Sequence, residues 1–185
     1  MAKSLSTNAK KSDVPRSSVG KKLPDFINVI KKESTGSTNE DMALLAKQGV
    51  APWTVVQALV QTSGRGRHGK SWDSQKGNLF LSLLLRPNIN RIRWGELSLL
   101  SAVAVASTLS DYVENQIIEV KWPNDVLVNG KKIAGILLEV ADFNGKEPSV
   151  IVGVGVNISK TPEKFEYPVT CINDYKTGHT SVDSV

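Results

Sequence analysis

The sequence predicts an α+β domain: a mixed, largely antiparallel sheet covered by helices on one face. Three observations carry this. β-Branched runs separated by turn residues fill the second half of the chain. Two Asn-Gly pairs, Asn129-Gly130 and Asn144-Gly145, stand between such runs, where both residues tolerate positive φ and close a hairpin. Helical patterning is confined to segments inserted between strands.

Leu23–Lys32 reads as a short apolar strand or turn entering the domain. Ser37-Thr38-Asn39-Glu40 has the capping-box form and opens a helix through Leu44 and Leu45, stopped by Gly49 with Pro52 beyond. Val55–Gln61 is a buried strand and Asn78–Arg86 another, bounded by Gly77 and Pro87. Glu96–Val113 is a long helix, apolar or small on most sides, that must pack on a sheet. Four strands follow: Ile117–Lys121, Val126–Val128, Lys132–Val140 and Ser149–Ile158.

The chain has 185 residues, a hydrophobic fraction of 40% and a formal net charge of +5. That composition is globular and excludes both a disordered and a membrane-embedded chain. The first 22 residues hold six basic residues and one acid, so they account for the whole +5; the remaining 17 basic and 17 acidic residues cancel. Residues 1–22 lack apolar periodicity and read as a flexible basic tail, with residues 23–185 as the folded domain. The lone Cys171 forms no internal disulfide, which fits a reducing cytoplasm. Serines, threonine and Asp111 interrupt Leu97–Val113, so no membrane span is expected.

Gly64-Arg65-Gly66-Arg67-His68-Gly69-Lys70-Ser71 matches the P-loop pattern letter for letter. A P-loop needs a helix beginning at its lysine, and the turn-rich Ser71–Asn78 segment offers none, so that reading is rejected. What remains is a glycine-permitted bend crowded with permanent positive charge, suited to a polyanion or to solvent. Lys121-Trp122-Pro123-Asn124-Asp125 and Gly130–Gly135 form two further polar connections; each taken singly is an ordinary turn between strands.

Taken together, these segments resemble the biotin protein ligases, also called biotin–[acetyl-CoA-carboxylase] ligases. The resemblance rests on Ser37-Thr38-Asn39; on Gln61 with the Gly64–Gly69 arginine loop and Trp72; on Lys121–Asp125 followed by Lys132–Leu137; and on Gly153–Asn157. It implies the class II aminoacyl-tRNA synthetase-like fold shared by biotin and lipoate ligases. It also implies ATP-dependent formation of biotinyl-5′-AMP, then transfer of biotin to a lysine of a biotin carboxyl carrier protein.

By the same resemblance, Lys132, Arg67, Arg65 and Asp125 are the catalytic set. Lys132 would stand at the reacting carboxyl oxygen, the arginines over the biotin carboxylate and α-phosphate, and Asp125 would help deprotonate the incoming lysine. Biotin would meet Ser37, Thr38, Asn39 and Gln61 at its ureido ring, with Gly64, Arg65, Gly66, Arg67, Lys132, Gly135, Leu137 and Gly155 along its length. ATP would meet Arg65, Arg67, Lys70, Trp72, Lys121, Asn124, Asp125, Lys132 and Asn157, with Asp125 also holding Mg2+.

The family's winged-helix DNA-binding domain and its C-terminal SH3-like barrel have no room in this sequence, so a monofunctional catalytic domain without DNA binding is expected. No zinc-ligand spacing occurs, and Cys171 has no part in the chemistry. An exposed sheet could support a homodimer, although no pattern argues for one. The competing readings are a lipoate or octanoate ligase or transferase on the same scaffold, a non-catalytic biotin-binding module, and a nucleic-acid binder using the tail and arginine loop.

Overall fold

The computed structural model describes residues 23–142, 147–162, 167–176 and 179–182, so residues 1–22 and the Asn144-Gly145 pair lie outside the described residues. The entry segment turns at Asp25 and Phe26, where Phe26 meets Trp53 edge-on at 5.6 Å. Strand β1 (Asn28–Thr35) therefore begins later than the Leu23–Lys32 stretch suggests.

Helix α1 (Thr38–Gln48) starts at the expected residue, but Ser37 makes no side-chain cap bond and the reciprocal capping box does not form. Instead Gln61 Oε1 accepts from the Thr38 backbone N–H at 2.9 Å and from Thr38 Oγ1 at 3.1 Å. The helix N-terminus is thus capped by a strand residue 23 positions away. The far end closes as expected. Gly49 adopts φ 90°, its N–H reaches Ala46 O, and the Val50 N–H reaches Leu45 O, the two bonds of a Schellman motif.

Strands β2 (Thr54–Gln61) and β3 (Leu79–Leu85) follow the expected segments closely. Helix α2 (Glu96–Leu109) stops four residues before Val113. Beyond Leu109 the ladder gives way to turns closed by the Asp111 N–H on Thr108 O and the Tyr112 N–H on Leu109 O, and the Ser110 hydroxyl donates to Ser107 O.

The last strands are β4 (Ile118–Lys121), β5 (Asp125–Val128), β6 (Lys131–Ala141) and β7 (Ser149–Val156). Asn129 and Gly130, at φ 49° and 73°, close the β5–β6 hairpin in the conformation their types favour. The sheet order is β1-β2-β3-β7-β6-β5-β4, with β1–β2 parallel and every other pairing antiparallel.

The fold class stands, yet the helices do not share a face. Register places Ser82, Leu84, Ile151 and Gly153 on one side of the sheet. There α1 buries Met42 and Ala46 against Leu84, Val56 and Ile151. The opposite side carries the valines of β7 at 150, 152 and 156 with Ile136 and Val126, packed beneath Trp94, Ala102 and Leu109 of the α2 segment. That second face is apolar along its whole length and needs a cover. The first is interrupted by Gly135, Gly153 and Gly155 on the two central strands, and the interruption is a hollow.

Candidate active site

The hollow is a cavity of about 490 Å³. Its floor is the glycine row, and glycine is needed there because other groups already occupy the space. A Cβ on Gly153 would stand 2.4 Å from Asn39 Oδ1, and one on Gly155 would stand 2.6 Å from the Trp72 ring. Its walls are the start of α1, the arginine loop and the β5–β6 hairpin.

The α1 wall is an interlocked polar cluster. Gln61, already bound to Thr38 through Oε1, donates from Nε2 to Ser74 Oγ at 2.9 Å. The buried Ser82 hydroxyl lies 2.8 Å from Thr38 Oγ1 and within hydrogen-bond reach of Asn39 Oδ1. Asn39 Nδ2 donates to Glu139 Oε2 at 2.7 Å. Ser37 lines the cavity with no capping duty.

The arginine loop folds back on itself. Gly66 N–H reaches Lys70 O at 2.7 Å and Trp72 N–H reaches Gly64 O at 2.9 Å. The three-residue 3-10 turn Arg67–Gly69 ends before Lys70, which is extended, and no helix follows before β3, so rejection of the P-loop is borne out. Gly64 does not line the cavity; it permits the crossing, since its Cβ would stand 2.4 Å from both Trp72 O and Ser74 Oγ. Arg65 Nη2 donates to Glu139 Oε2 at 2.9 Å, and Arg67 Nη1 to Asn124 Oδ1 at 3.1 Å. Trp72 lies against the glycine floor with Nε1 buried and without a hydrogen-bond acceptor.

Lys132 reaches the cavity through a local irregularity. Leu127 pairs with Lys132 while Val126 pairs with Ala134, so Ile133 is an extra residue in β6. Such a bulge reverses the side-chain alternation before it. Lys132 thereby joins Gly135 on the cavity face instead of entering the apolar layer, and its Cε would meet a Gly135 Cβ at 3.3 Å. Its Nζ stands 2.8 Å from Asp125 Oδ1, 3.4 Å from Tyr167 Oη and 5.3 Å from the centres of the Trp72 and Tyr167 rings. The Lys132–Asp125 contact is an ion pair out of hydrogen-bonding alignment, which leaves Asp125 Oδ1 buried without a hydrogen-bond donor.

Most expected residues therefore converge: Ser37, Thr38, Asn39, Gln61, Arg65, Gly66, Arg67, Lys70, Trp72, Asn124, Asp125, Lys132, Gly135, Leu137 and Gly155 all line one cavity. Two expected ATP contacts fall outside it. Lys121 is exposed at the end of β4. Asn157 is buried behind Trp72, where its Nδ2 donates to Thr170 O and its backbone ties to Ile133 and Ile172. Tyr167, Glu139 and Ser82 belong to the site or its support and were not anticipated; Gly153, named only as part of the Gly153–Asn157 motif, supplies part of the floor. Tyr167 is brought in by the parallel Lys132–Val169 bridge, a long-range contact with no local sequence signal.

The described residues offer no group of three His, Cys, Asp or Glu placed to hold a metal ion. Asp125, expected to hold Mg2+, has its carboxylate paired with Lys132, so a cation site built by the protein alone does not fit this cluster. Cys171 is buried away from the cavity. Burial first, then the Asp174 carboxylate beside it, pushes its thiol up to about 11.

Comparison with known proteins gives the family of the fold. Residues 27–157 match the model of the biotin/lipoate A/B protein ligase family. The bifunctional ligase/repressor BirA of Bacillus subtilis is 40% identical over 139 residues, covering 75% of this chain and 42% of that protein. The biotin–[acetyl-CoA-carboxylase] ligase of Mycobacterium tuberculosis is 39% identical over 145 residues, covering 76% of this chain and 53% of the relative. Among solved structures, the biotin protein ligase of Aquifex aeolicus in complex with biotin and ATP superposes with a TM-score of 0.72 at 32% identity, covering 84% of this chain and 64% of that one. The chain thus spans about half the length of the two sequence relatives. With a family match over residues 27–157 and relatives at about 40% identity, the chain belongs to the biotin/lipoate A/B protein ligase family.

Proposed function

We propose that this chain carries the catalytic site of a biotin protein ligase. It would join biotin to ATP as biotinyl-5′-AMP and then acylate a lysine of a biotin carboxyl carrier domain. The observation that carries the reading is the convergence of Arg65, Arg67 and Lys132, from two separate segments, on one glycine-floored cavity. In the first step a carboxylate oxygen attacks the α-phosphorus, the bond to the β-phosphate oxygen breaks, and pyrophosphate leaves. Roughly five negative charges meet there, and fixed cations in a partly dry site stabilise them without reorganising. In the second step the carrier's amine attacks the acyl carbon, AMP departs, and the amine loses a proton.

The uncharged ureido ring would lie at the α1 wall, where Ser37, Thr38 and Gln61 present polar atoms and Leu137 adds apolar surface. Arg65 would face the biotin carboxylate, Arg67 and Lys70 the phosphates, and Trp72 the ring system above the glycines. Lys132 would stand at the reacting oxygens, and Asp125 would accept the proton of the incoming amine. Any Mg2+ would depend chiefly on the phosphates of the nucleotide, with Asp125 released from Lys132. The carrier domain is the proposed macromolecular partner. A reducing cytoplasm is the proposed compartment, and no described helix is long and apolar enough to cross a membrane.

The test is mass-spectrometric labelling of a carrier domain with MgATP and biotin. Lys132→Ala should slow labelling by about 10²-fold or more, the usual cost of removing a fixed group that meets developing charge. Equal labelling by wild type and variant would sink the assigned site. The family model also spans lipoate ligases, so pyrophosphate release with lipoate and none with biotin would move the chain to that branch.

A further inference from the structure

Glu139 lies on β6, facing the cavity side but outside its lining, and it holds two site residues through a single atom. Its Oε2 accepts from Asn39 Nδ2 at 2.7 Å and from Arg65 Nη2 at 2.9 Å. Arg65 also stands 3.7 Å from Glu40 Oε1, a looser contact with a more exposed carboxylate. Asn39 is itself packed in place: it is 3% exposed, its Oδ1 takes the Ser82 hydroxyl, and only a glycine at 153 leaves space beneath it. The rigid part of the molecule therefore runs Ser82–Asn39–Glu139, and the loop arginine hangs from its end.

We infer that Glu139 is a positioning residue for ligand binding: fixed by Asn39, it holds the Arg65 guanidinium at the cavity mouth where a ligand carboxylate arrives. The inference rests on the ligase reading for the identity of that carboxylate. Arginine has more rotamer freedom to lose than almost any other side chain, and a charge-assisted hydrogen bond made before the ligand enters removes that cost from binding. Glu139 also carries a negative charge close to an anion site. Were it only a counter-ion masking Arg65, its removal would strengthen binding. The two roles predict opposite signs.

The experiment measures binding of biotin and of its uncharged carboxamide by calorimetry to wild type, Glu139→Ala, Glu139→Gln, Arg65→Ala and the Glu139→Ala/Arg65→Ala double variant. Glu139→Ala should weaken biotin about tenfold and the carboxamide less than threefold, because only biotin presents a charge to Arg65. Glu139→Gln keeps an oxygen acceptor and should restore binding to within about threefold. In the Arg65→Ala background, Glu139→Ala should cost less than about twofold. Tighter biotin binding by both Glu139 variants, an equal loss for both ligands, or the same loss with and without Arg65 would overturn the inference. A second readout needs no ligand. NMR of the arginine side chains should show slow Arg65 guanidinium rotation in wild type and Glu139→Gln and fast rotation in Glu139→Ala; equal rates would overturn it. Wild type that binds neither ligand refutes the ligase reading, while the rotation measurement still decides the role of Glu139.

Discussion

Gly155→Ala tests the site at its most crowded point. The new Cβ would stand 2.6 Å from Cε2 and Nε1 of Trp72 and 2.8 Å from Cζ2. Ordinary carbon contacts lie near 3.5 Å, so the ring must retreat by about 1 Å. Three atoms of one rigid plane are involved, and turning a flexible tip aside relieves none of them. The Trp72 backbone is tied to Gly64 O and the space between Trp72 and Asn157 is only about 10 Å³, so the ring can retreat only into the larger cavity that it lines. Overpacking of this kind costs about 1–3 kcal/mol. At about 2 kcal/mol, and 2–4 °C per kcal/mol for a chain of this size, Tm should fall by about 4–8 °C. Calorimetric melting measures it, with a biotin titration alongside, since a displaced Trp72 intrudes on the cavity and should lower affinity. Gly95→Ala is the control: nothing lies within 4 Å of its Cβ and its φ is −57°, so Tm should hold or rise slightly. A Gly155→Ala protein melting within 1 °C of wild type, with unchanged biotin affinity, would refute the packing of Trp72 on that strand.

Asn124→Ala should destabilise the chain by about 1–2 kcal/mol in urea unfolding, because it removes the Asn124 Nδ2 bond to Ile136 O; the backbone bond from the Ile136 N–H to Asn124 O survives the change. The same variant should raise KM for ATP by releasing Arg67, and an unchanged KM would detach Asn124 from the arginine loop. Cys171 should react with iodoacetamide at pH 8 at least tenfold more slowly in the folded than in the unfolded chain, given a thiol raised from 9.0 to about 11. That shift has a definite sign. The unfolded thiol ionises first, so stability should fall as pH rises from about 9 towards 11 and be independent of this group below that range. At Asp174 burial opposes the charge, but hydrogen bonds from Thr170 Oγ1 and the Cys171 N–H outweigh it and hold the carboxyl below its usual range. Its contribution should therefore be present above the usual carboxylate range and be lost as pH falls through the folded value, as acid titration of unfolding would show.

What could be read from the sequence was local. Gly49 and Asn129-Gly130 announce their turns because their φ values are positive, and the central strands announce themselves as apolar, β-branched runs bounded by turn residues. The P-loop match fails for a local reason as well, the missing helix after Lys70. What could not be read depends on distance along the chain. Ser37-Thr38-Asn39-Glu40 has the letters of a capping box, yet Gln61 does the capping, and no window around Ser37 contains Gln61. The division of the helices between two faces follows from the apolar second face and the glycine-broken first one, visible only once strand register is known. Lys132 could be named by resemblance, whereas its direction depends on the bulge at Ile133, and Lys131–Gly135 carries no mark of that. Lys121 and Asn157 show the converse: both sit inside motif-like strings and outside the cavity.

Three of the four cations assigned to the site, Arg65, Arg67 and Lys132, differ in one respect that ranks them. Arg65 is matched by Glu139 and Lys132 by Asp125, both carboxylates, while Arg67 is held by the neutral amide oxygen of Asn124. Asn124 orients the guanidinium without cancelling it. At an effective dielectric near 20, an anionic oxygen about 4 Å from a cation gains about 4 kcal/mol, and a carboxylate about 6 Å from the same oxygen returns about 3 kcal/mol of repulsion. Solvent at the half-exposed mouth reduces both terms and leaves their order unchanged. Arg67 should therefore carry the larger share of phosphate attraction, with Arg65 acting mainly through orientation. Arg67→Gln should raise KM for ATP at least tenfold more than Arg65→Gln does, and the gap should narrow as ionic strength rises. Equal effects at low salt would mean that Glu139 leaves Arg65 when nucleotide binds, and the ranking by resting partners would fail.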